Sequence, residues 1–397
     1  MAVNNVEITA LQAGEHQEEG RAEAVVAAAE PVGQPWRVYH IGFRAPGQTE
    51  IFHYDEGPLP EGCVRVRTLY CGISTGTELT HFQGTNPYLS ARWDDELKLF
   101  ADDGCTEYPL PFSGYMQVGR VVESRSPAFP TGEVVAMTYG HKTGHTADPK
   151  NELLFPLPAD MDPILGIYVA QMGPICANGV LHADEEAYGQ SAQAFGVGVR
   201  GRNVLVCGTG VIGLMTALMC QWAGASEVAV AGRNDWKLSV AESLGLIPIN
   251  TQKTDVGRWA KLRWHDGAGN RGAHVAFQCS GSDELLHLAL RSLQPQAAVI
   301  DLGFYQDGAE QVKLGQEFHH NGLKHICAQI YRVPRKLCAQ WDRRRLGAVT
   351  LDFLRDKGNQ VKERLITHTL PFESAQQAFD LLANDGKKAL QVVLRCE

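Results

Sequence analysis

The chain has 397 residues, 44% hydrophobic, 20% charged and 8% aromatic. That composition excludes a disordered or low-complexity protein, and at roughly 150 residues per domain the length points to two domains with some extra chain. A formal charge of −9 gives no overall basic field, so nucleic acid and anionic lipid are not expected partners. The ten cysteines include no C-x-x-C and most stand in apolar runs, which argues against a disulfide framework or a four-cysteine zinc knuckle. No basic stretch followed by an apolar one opens the sequence, so the expected address is cytoplasmic.

Residues 1–35 are rich in Ala, Glu and Gln and carry no sustained period, so a mobile extension outside the core is expected there. From Trp36 the texture changes to short β-rich runs at 36–41, 63–70, 117–123 and 133–138, punctuated by Gly and Pro, which predicts an irregular, mostly antiparallel β-domain. Helical patterns begin after Pro163. Strands at 204–207, 227–231, 273–278 and 297–302 then alternate with helices, which implies crossover connections and a doubly wound parallel sheet. The tail predicts a helix over 336–357 that stops at Gly358. A second helix is expected from Ser374, with Gln377 completing a capping box, and a last strand at 390–394.

Residues 204–225 run 22 positions without a charge, long enough to cross a bilayer. Inside the run, however, Gly208-Thr209-Gly210-Val211-Ile212-Gly213 separates a short strand from a helix, so a buried strand, a glycine turn and a buried helix explain the apolarity. This G-x-G-x-x-G follows a strand, opens a helix and precedes a second strand, the context that a dinucleotide-binding turn requires. Gly208 permits the tight turn, Gly210 admits pyrophosphate oxygens to the backbone and Gly213 lets helix and strand approach. The helix N-terminus adds N–H donors and partial positive charge. A glycine turn without a ligand is the alternative.

At the end of the second strand an acid would bind an adenosine ribose 2′-hydroxyl. Gly232 stands there, followed by Arg233 and, one helical turn on, Lys237. Positive charge at that place suits a 2′-phosphate, so NADP is favoured over NAD, with Asp235 as the contrary sign. Ser280-Gly281 and Gly303-Phe304 follow two other parallel strands and are expected to contact the nicotinamide half.

A β-domain, then a G-x-G-x-x-G unit, then a return to the first domain resembles the medium-chain dehydrogenase/reductase superfamily from about residue 36 onward. Gly72-Ile73-Ser74-Thr75-Gly76-Thr77-Glu78, Phe318-His319-His320 and Trp341-Asp342-Arg343-Arg344-Arg345 look like a bacterial subgroup that includes the bacteriochlorophyllide dehydrogenases. The resemblance implies an α/β fold with a GroES-like β-rich catalytic domain over 36–175, a Rossmann domain over 176–335 and a return to the catalytic domain over 336–397. Zinc members of the superfamily hold metal at three places, which fall here on Ser74, Tyr115 and the neighbourhood of Met172. Those side chains do not make a zinc site, since zinc takes thiolate, imidazole or carboxylate, so a zinc-free member is expected.

Without a Lewis acid, hydride transfer to a carbonyl needs a hydrogen-bond donor at the developing oxyanion. Tyr115 is the first candidate, against a reading in which its ring fills the space vacated by metal. His145 is the next, as a proton relay to solvent, with His141 and Lys142 behind it. Ser74 and Thr77 are expected either to hydrogen-bond substrate or to cap the turn at Gly76, and Glu78 either to support the site or to be solvated. His319 and His320 are read on a strand, facing opposite sides. An edge strand at 324–331 is expected to pair with a symmetry mate in a homodimer. Three readings stay open: an NADP(H)-dependent, zinc-independent oxidoreductase acting on a carbonyl or alcohol of a small molecule, an enone or quinone reductase, and a nucleotide-binding protein without turnover.

Overall fold

Two sheets of different construction organise the computed structural model, which describes residues 36–267, 269–306 and 308–397. The extension read over 1–35 lies outside the described residues. The hairpin of β1 (Trp36–Ala45) and β2 (Gln48–Glu56) leads to β3 (Val64–Gly72) and the short helix α1 (Glu78–Gln83). Next come the small hairpin of β4 (Arg92–Asp94) and β5 (Leu99–Ala101), then β6 (Gln117–Ser124), β7 (Val134–Met137), β8 (Gly144–Ala147) and β9 (Phe155–Pro156). Helix α2 (Met172–Tyr188) carries the chain into β10 (Asn203–Cys207), α3 (Val211–Trp222), β11 (Glu227–Gly232), α4 (Asp235–Ser243), β12 (Ile247–Asn250) and α5 (Val256–Arg263). The two-residue strands β13 (His265–Asp266) and β14 (Asn270–Arg271) precede β15 (Ala273–Gln278), α6 (Asp283–Ser292), β16 (Leu293–Asp301) and β17 (Lys324–Cys327). The chain then runs through α7 (Arg343–Leu365), β18 (Ile366–Pro371), α8 (Ala375–Asn384) and β19 (Gln391–Arg395).

The strand order β12-β11-β10-β15-β16-β17 is parallel throughout, the doubly wound arrangement that alternating strands and helices impose. The other sheet runs β18-β19-β3-β6-β7-β9, with β8 also on β3, so the end of the chain returns to close the β-rich unit. Helix α3 buries all its residues except Ile212, Gln221 and Trp222. It lies in one apolar core with α2, α7 and the parallel strands, so burial on every side accounts for the missing charges. Among the described residues no helix is long and apolar enough to cross a membrane.

Three expectations for the second half need correction. Gly358 does not end a helix: α7 is capped by Asp342, which accepts from Arg345 N–H at 2.8 Å, and runs through Gly358 to Leu365. A Cβ at Gly358 would come 2.7 Å from Leu165 Cδ1, so the glycine serves close packing instead. Ser374 makes no side-chain cap on α8, and Gln376 binds the Thr49 N–H at 2.8 Å, tying α8 to β2. His319 and His320 are exposed in a helical turn ahead of β17, with their rings edge to face, and not on a strand.

Candidate active site

The glycine turn is shaped for an anion. Gly208 leaves β10 at φ +120°, a conformation that L side chains avoid. Its N–H binds Ala231 O at 2.9 Å. Gly210 begins α3 with no side chain over the helix terminus, and a Cβ there would meet nothing within 4 Å. The amides of Val211, Ile212 and Gly213 therefore face a cradle lined by backbone, and Gly213 packs so tightly that a Cβ would fall 2.0 Å from Gly208 O. Such a turn fits the pyrophosphate of a nicotinamide dinucleotide.

At the end of β11, Gly232 is pressed against Thr209. Arg233 beside it is exposed. Asn234 caps α4 by accepting from Lys237 N–H at 2.9 Å and reaches the β-rich unit by donating to Lys387 O at 2.9 Å. Asp235 is held by Lys253, 2.8 Å away, and by Asn250 at 2.6 Å. Lys237 is half-buried, and desolvation lowers its pKa.

The loops after β15 and β16 meet. A Cβ at Gly303 would fall 2.2 Å from Ser280 O, and one at Gly281 would fall 2.6 Å from Phe304 O, so Ser280, Gly281, Gly303 and Phe304 form one floor beside the glycine turn. Asp301, buried at the end of β16, sets that floor. Its carboxylate accepts from Gly303 N–H and the Tyr305 hydroxyl, both at 2.8 Å, and pairs with His325 Nε2 at 2.6 Å. Sequence reasoning passed over Asp301, although an acid at the end of a parallel strand was a readable signal.

In the β-rich unit, Ser74 follows β3 and Tyr115 precedes β6. The Tyr115 hydroxyl donates to Ser74 Oγ, Thr77 lies within reach of the phenol, and Tyr331 from the nucleotide side is close enough to act on it electrostatically. Burial first, then the Glu78 carboxylate, push the phenol well above its ordinary pKa, so Tyr115 keeps its proton at neutral pH. Glu78 and His141 form a buried pair at 2.6 Å, with side chains 3% and 0% exposed. Although burial opposes the charge, Glu78 holds the imidazole above its usual range. Thr85 Oγ1 reaches over to Gln306 Oε1 at 2.8 Å, linking the loop that carries β4 and β5 to the floor beneath it.

A family model described as zinc-binding dehydrogenase matches residues 211–332. D-guloside 3-dehydrogenase of Escherichia coli K12 is 24% identical over 84% of this chain and 93% of its own length. A Sinorhizobium meliloti 1021 dehydrogenase structure bound to NADP aligns at TM-score 0.67 and 17% identity, covering 91% of this chain and 99% of that one. An E. coli CFT073 alcohol dehydrogenase complexed with NADH aligns at 0.67 and 20%, covering 90% and 99%. The fold is that of the medium-chain dehydrogenases.

The matched stretch 211–332 contains none of the three places where zinc-binding medium-chain dehydrogenases hold metal, so the description carries no information about donors here. Those places present a hydroxyl on Ser74, a phenol on Tyr115 and a thioether on buried Met172. Next to Met172, Gln171 Oε1 accepts from Arg343 Nη2 at 2.6 Å. Among the described residues no three His, Cys, Asp or Glu side chains converge on a possible metal position. This donor set does not fit zinc.

The structure does not bring His145 to Tyr115. It sits on β8 opposite Val66, pairs with Glu152 at 2.7 Å and stacks on Tyr139 at 4.8 Å. Val66 lies six positions before the end of β3 at Gly72, about 20 Å at the rise of a strand, and Ser74 lies beyond that end. Lys142 also points away, over Tyr54 and Phe112. His141 is the histidine that turns inward, because its N–H bonds Ser113 O at 2.6 Å and its carbonyl accepts from Ile41 N–H at 2.9 Å. Those ladder contacts lie far apart in sequence, and nothing in the local pattern distinguishes His141 from His145.

Proposed function

We propose that the protein is a zinc-independent, NADP(H)-preferring oxidoreductase that interconverts a carbonyl and an alcohol on a small organic molecule, among the zinc-lacking members of the medium-chain group. The observation that carries this reading is the buried Tyr115–Ser74 hydroxyl pair, at two of the places that the resemblance assigns to metal ligands.

The turn from Gly208 to Gly213 would hold the pyrophosphate, Arg233 and Lys237 the 2′-phosphate end, and the floor the nicotinamide. When bound, the nicotinamide supplies or accepts the hydride. The chain's own part is to orient the carbonyl and to supply a proton. A neutral, high-pKa phenol is a donor and a poor base, so Tyr115 would give its proton to the oxygen of the carbonyl being reduced. Ser74 would then turn its hydroxyl toward the phenolate and stabilise it. The exposed loop carrying β4 and β5, pinned to Gln306, would cover the cleft and exclude water.

The relative named for D-guloside makes secondary alcohols of sugars and the matching ketones the first compounds to assay. Turnover of such a ketone with NADPH, in protein freed of metal by a chelator, tests the reading. A panel in which only enones or quinones react would move the acceptor to a carbon–carbon double bond or a quinone. Tight NADPH binding with no turnover would leave a binding protein.

A homodimer through β17 belongs to the same proposal. This strand is the edge of the parallel sheet, and three of its four residues are exposed. Sedimentation at micromolar concentration checks it, and a stable monomer would exclude it.

A further inference from the structure

The ladder between β3 and β6 gives out just before the site, with Gly72 N–H on Met116 O at 2.8 Å. Ser74 lies two residues beyond that bond and Tyr115 one residue before it, so strand pairing alone does not fix either hydroxyl. What spans the gap is the Glu78–His141 pair. Glu78 Oε1 accepts from Ser74 N–H at 3.2 Å, and Oε2 lies 2.6 Å from His141 Nε2. His141 in turn meets the loop that carries Tyr115. Its N–H is on Ser113 O at 2.6 Å, and its ring lies flush against Gly114, at φ +97°, where a Cβ would come within 2.8 Å of the imidazole.

We propose that the buried Glu78–His141 pair is a positioning element, which clamps the Ser74 loop to the Gly114–Tyr115 loop and so sets the donor geometry that a bound metal would otherwise set. The proposal rests on the reading of Tyr115 as the proton donor. A buried ion pair contributes little net stability compared with apolar side chains of the same volume, so burial energy does not explain its presence, whereas the Glu78 bond to Ser74 N–H on one loop and the packing of the imidazole against Gly114 on the other do. The pair carries no net charge when His141 is protonated. The other titratable groups facing it are the Cys71 thiol and the Tyr115 phenol, and the nearest ring is Phe379, at 6.4 Å. Both side chains are buried and bond protein groups, which makes the role proposed one of positioning and not of catalysis.

The test uses the full chain without cofactor or substrate, labelled with 13C at tyrosine Cζ. The Tyr115 resonance is assigned by its loss in Tyr115→Phe, and the readout is its position in Glu78→Gln and His141→Gln. Displacement of the Tyr115 resonance in both variants, with remote tyrosines such as Tyr188 and Tyr305 unmoved, is the expected result. The double variant, which restores a neutral hydrogen-bonded pair, should bring the resonance back toward its original place. With a substrate in hand, each single variant should lose about tenfold or more in kcat at little change in NADPH affinity. A Tyr115 resonance that stays in place in both folded variants overturns the proposal, as does a general shift of remote tyrosines, which would mark an ordinary folding role. Because the resonance needs no ligand, a chain that fails to bind NADPH would defeat the functional reading and leave this result intact.

Discussion

Thr209 occupies the space that a side chain at position 232 would need: a Cβ on Gly232 would come 2.6 Å from Thr209 Cγ2 and 2.9 Å from its Oγ1. The place where an acid would bind a ribose 2′-hydroxyl is thereby closed to any larger residue. The nearest acid in sequence, Asp235, is engaged with Lys253 and Asn250, and Arg233 is exposed beside it, the arrangement on which the proposed NADP preference rests.

Arg233→Ala is expected to weaken NADPH binding by roughly 1 to 3 kcal/mol, the range for a charge-assisted contact, and to change NADH binding little. Fluorescence titration with both cofactors measures it. Equal losses for the two would remove Arg233 from the adenosine site.

Purified protein should hold less than one zinc per chain, and activity should survive chelation, because Ser74, Tyr115 and Met172 offer no thiolate, imidazole or carboxylate. Elemental analysis by mass spectrometry decides the matter, and one tightly held zinc per chain would contradict the account.

Asp184 on α2 supports the loop before β10 by accepting from Gly196 N–H at 2.8 Å and Gly198 N–H at 2.7 Å. Burial raises its pKa to about 7 in spite of those amides. A carboxyl with a folded pKa above its unfolded value of 3.8 favours folding when protonated, so its contribution is full below pH 3.8 and is lost as pH rises to about 7. Asp184→Asn should remove that component and flatten the fall in thermal midpoint between pH 4 and 7. Parallel pH profiles for the two proteins would show that Asp184 titrates normally.

Much of the architecture was legible because its signals are local. The uncharged run from Val204 to Ala225 with its three glycines reads as strand, turn and buried helix from spacing alone, and alternation of apolar strands with helices implies the parallel sheet. The glycine turn was legible from its motif, and the resemblance put Ser74 and Tyr115 at neighbouring places, but the hydrogen bond between the two was not read. What failed to read was long-range. Gly358 looks like a stop until Leu165, far away in sequence, is seen packed on it. His141 and His145 differ only in what β1 and the loop before β6 do to the backbone around them. Glu78 reads equally well as a solvated helix residue until His141 closes over it, and Asp301 gains its role from His325 on the neighbouring strand.

The most direct measurement is the rate of ketone reduction by Tyr115→Phe with NADPH in chelator-treated buffer, set beside Tyr115→Ala and the unaltered protein. Phe keeps the ring and removes only the donor, so turnover should fall by ~10²-fold or more while NADPH affinity and thermal stability hold, as when one donor to a developing oxyanion is deleted. Near-normal turnover in Tyr115→Phe, with damage confined to Tyr115→Ala through the cavity it leaves, would make Tyr115 a space-filling ring and contradict its role as the proton donor.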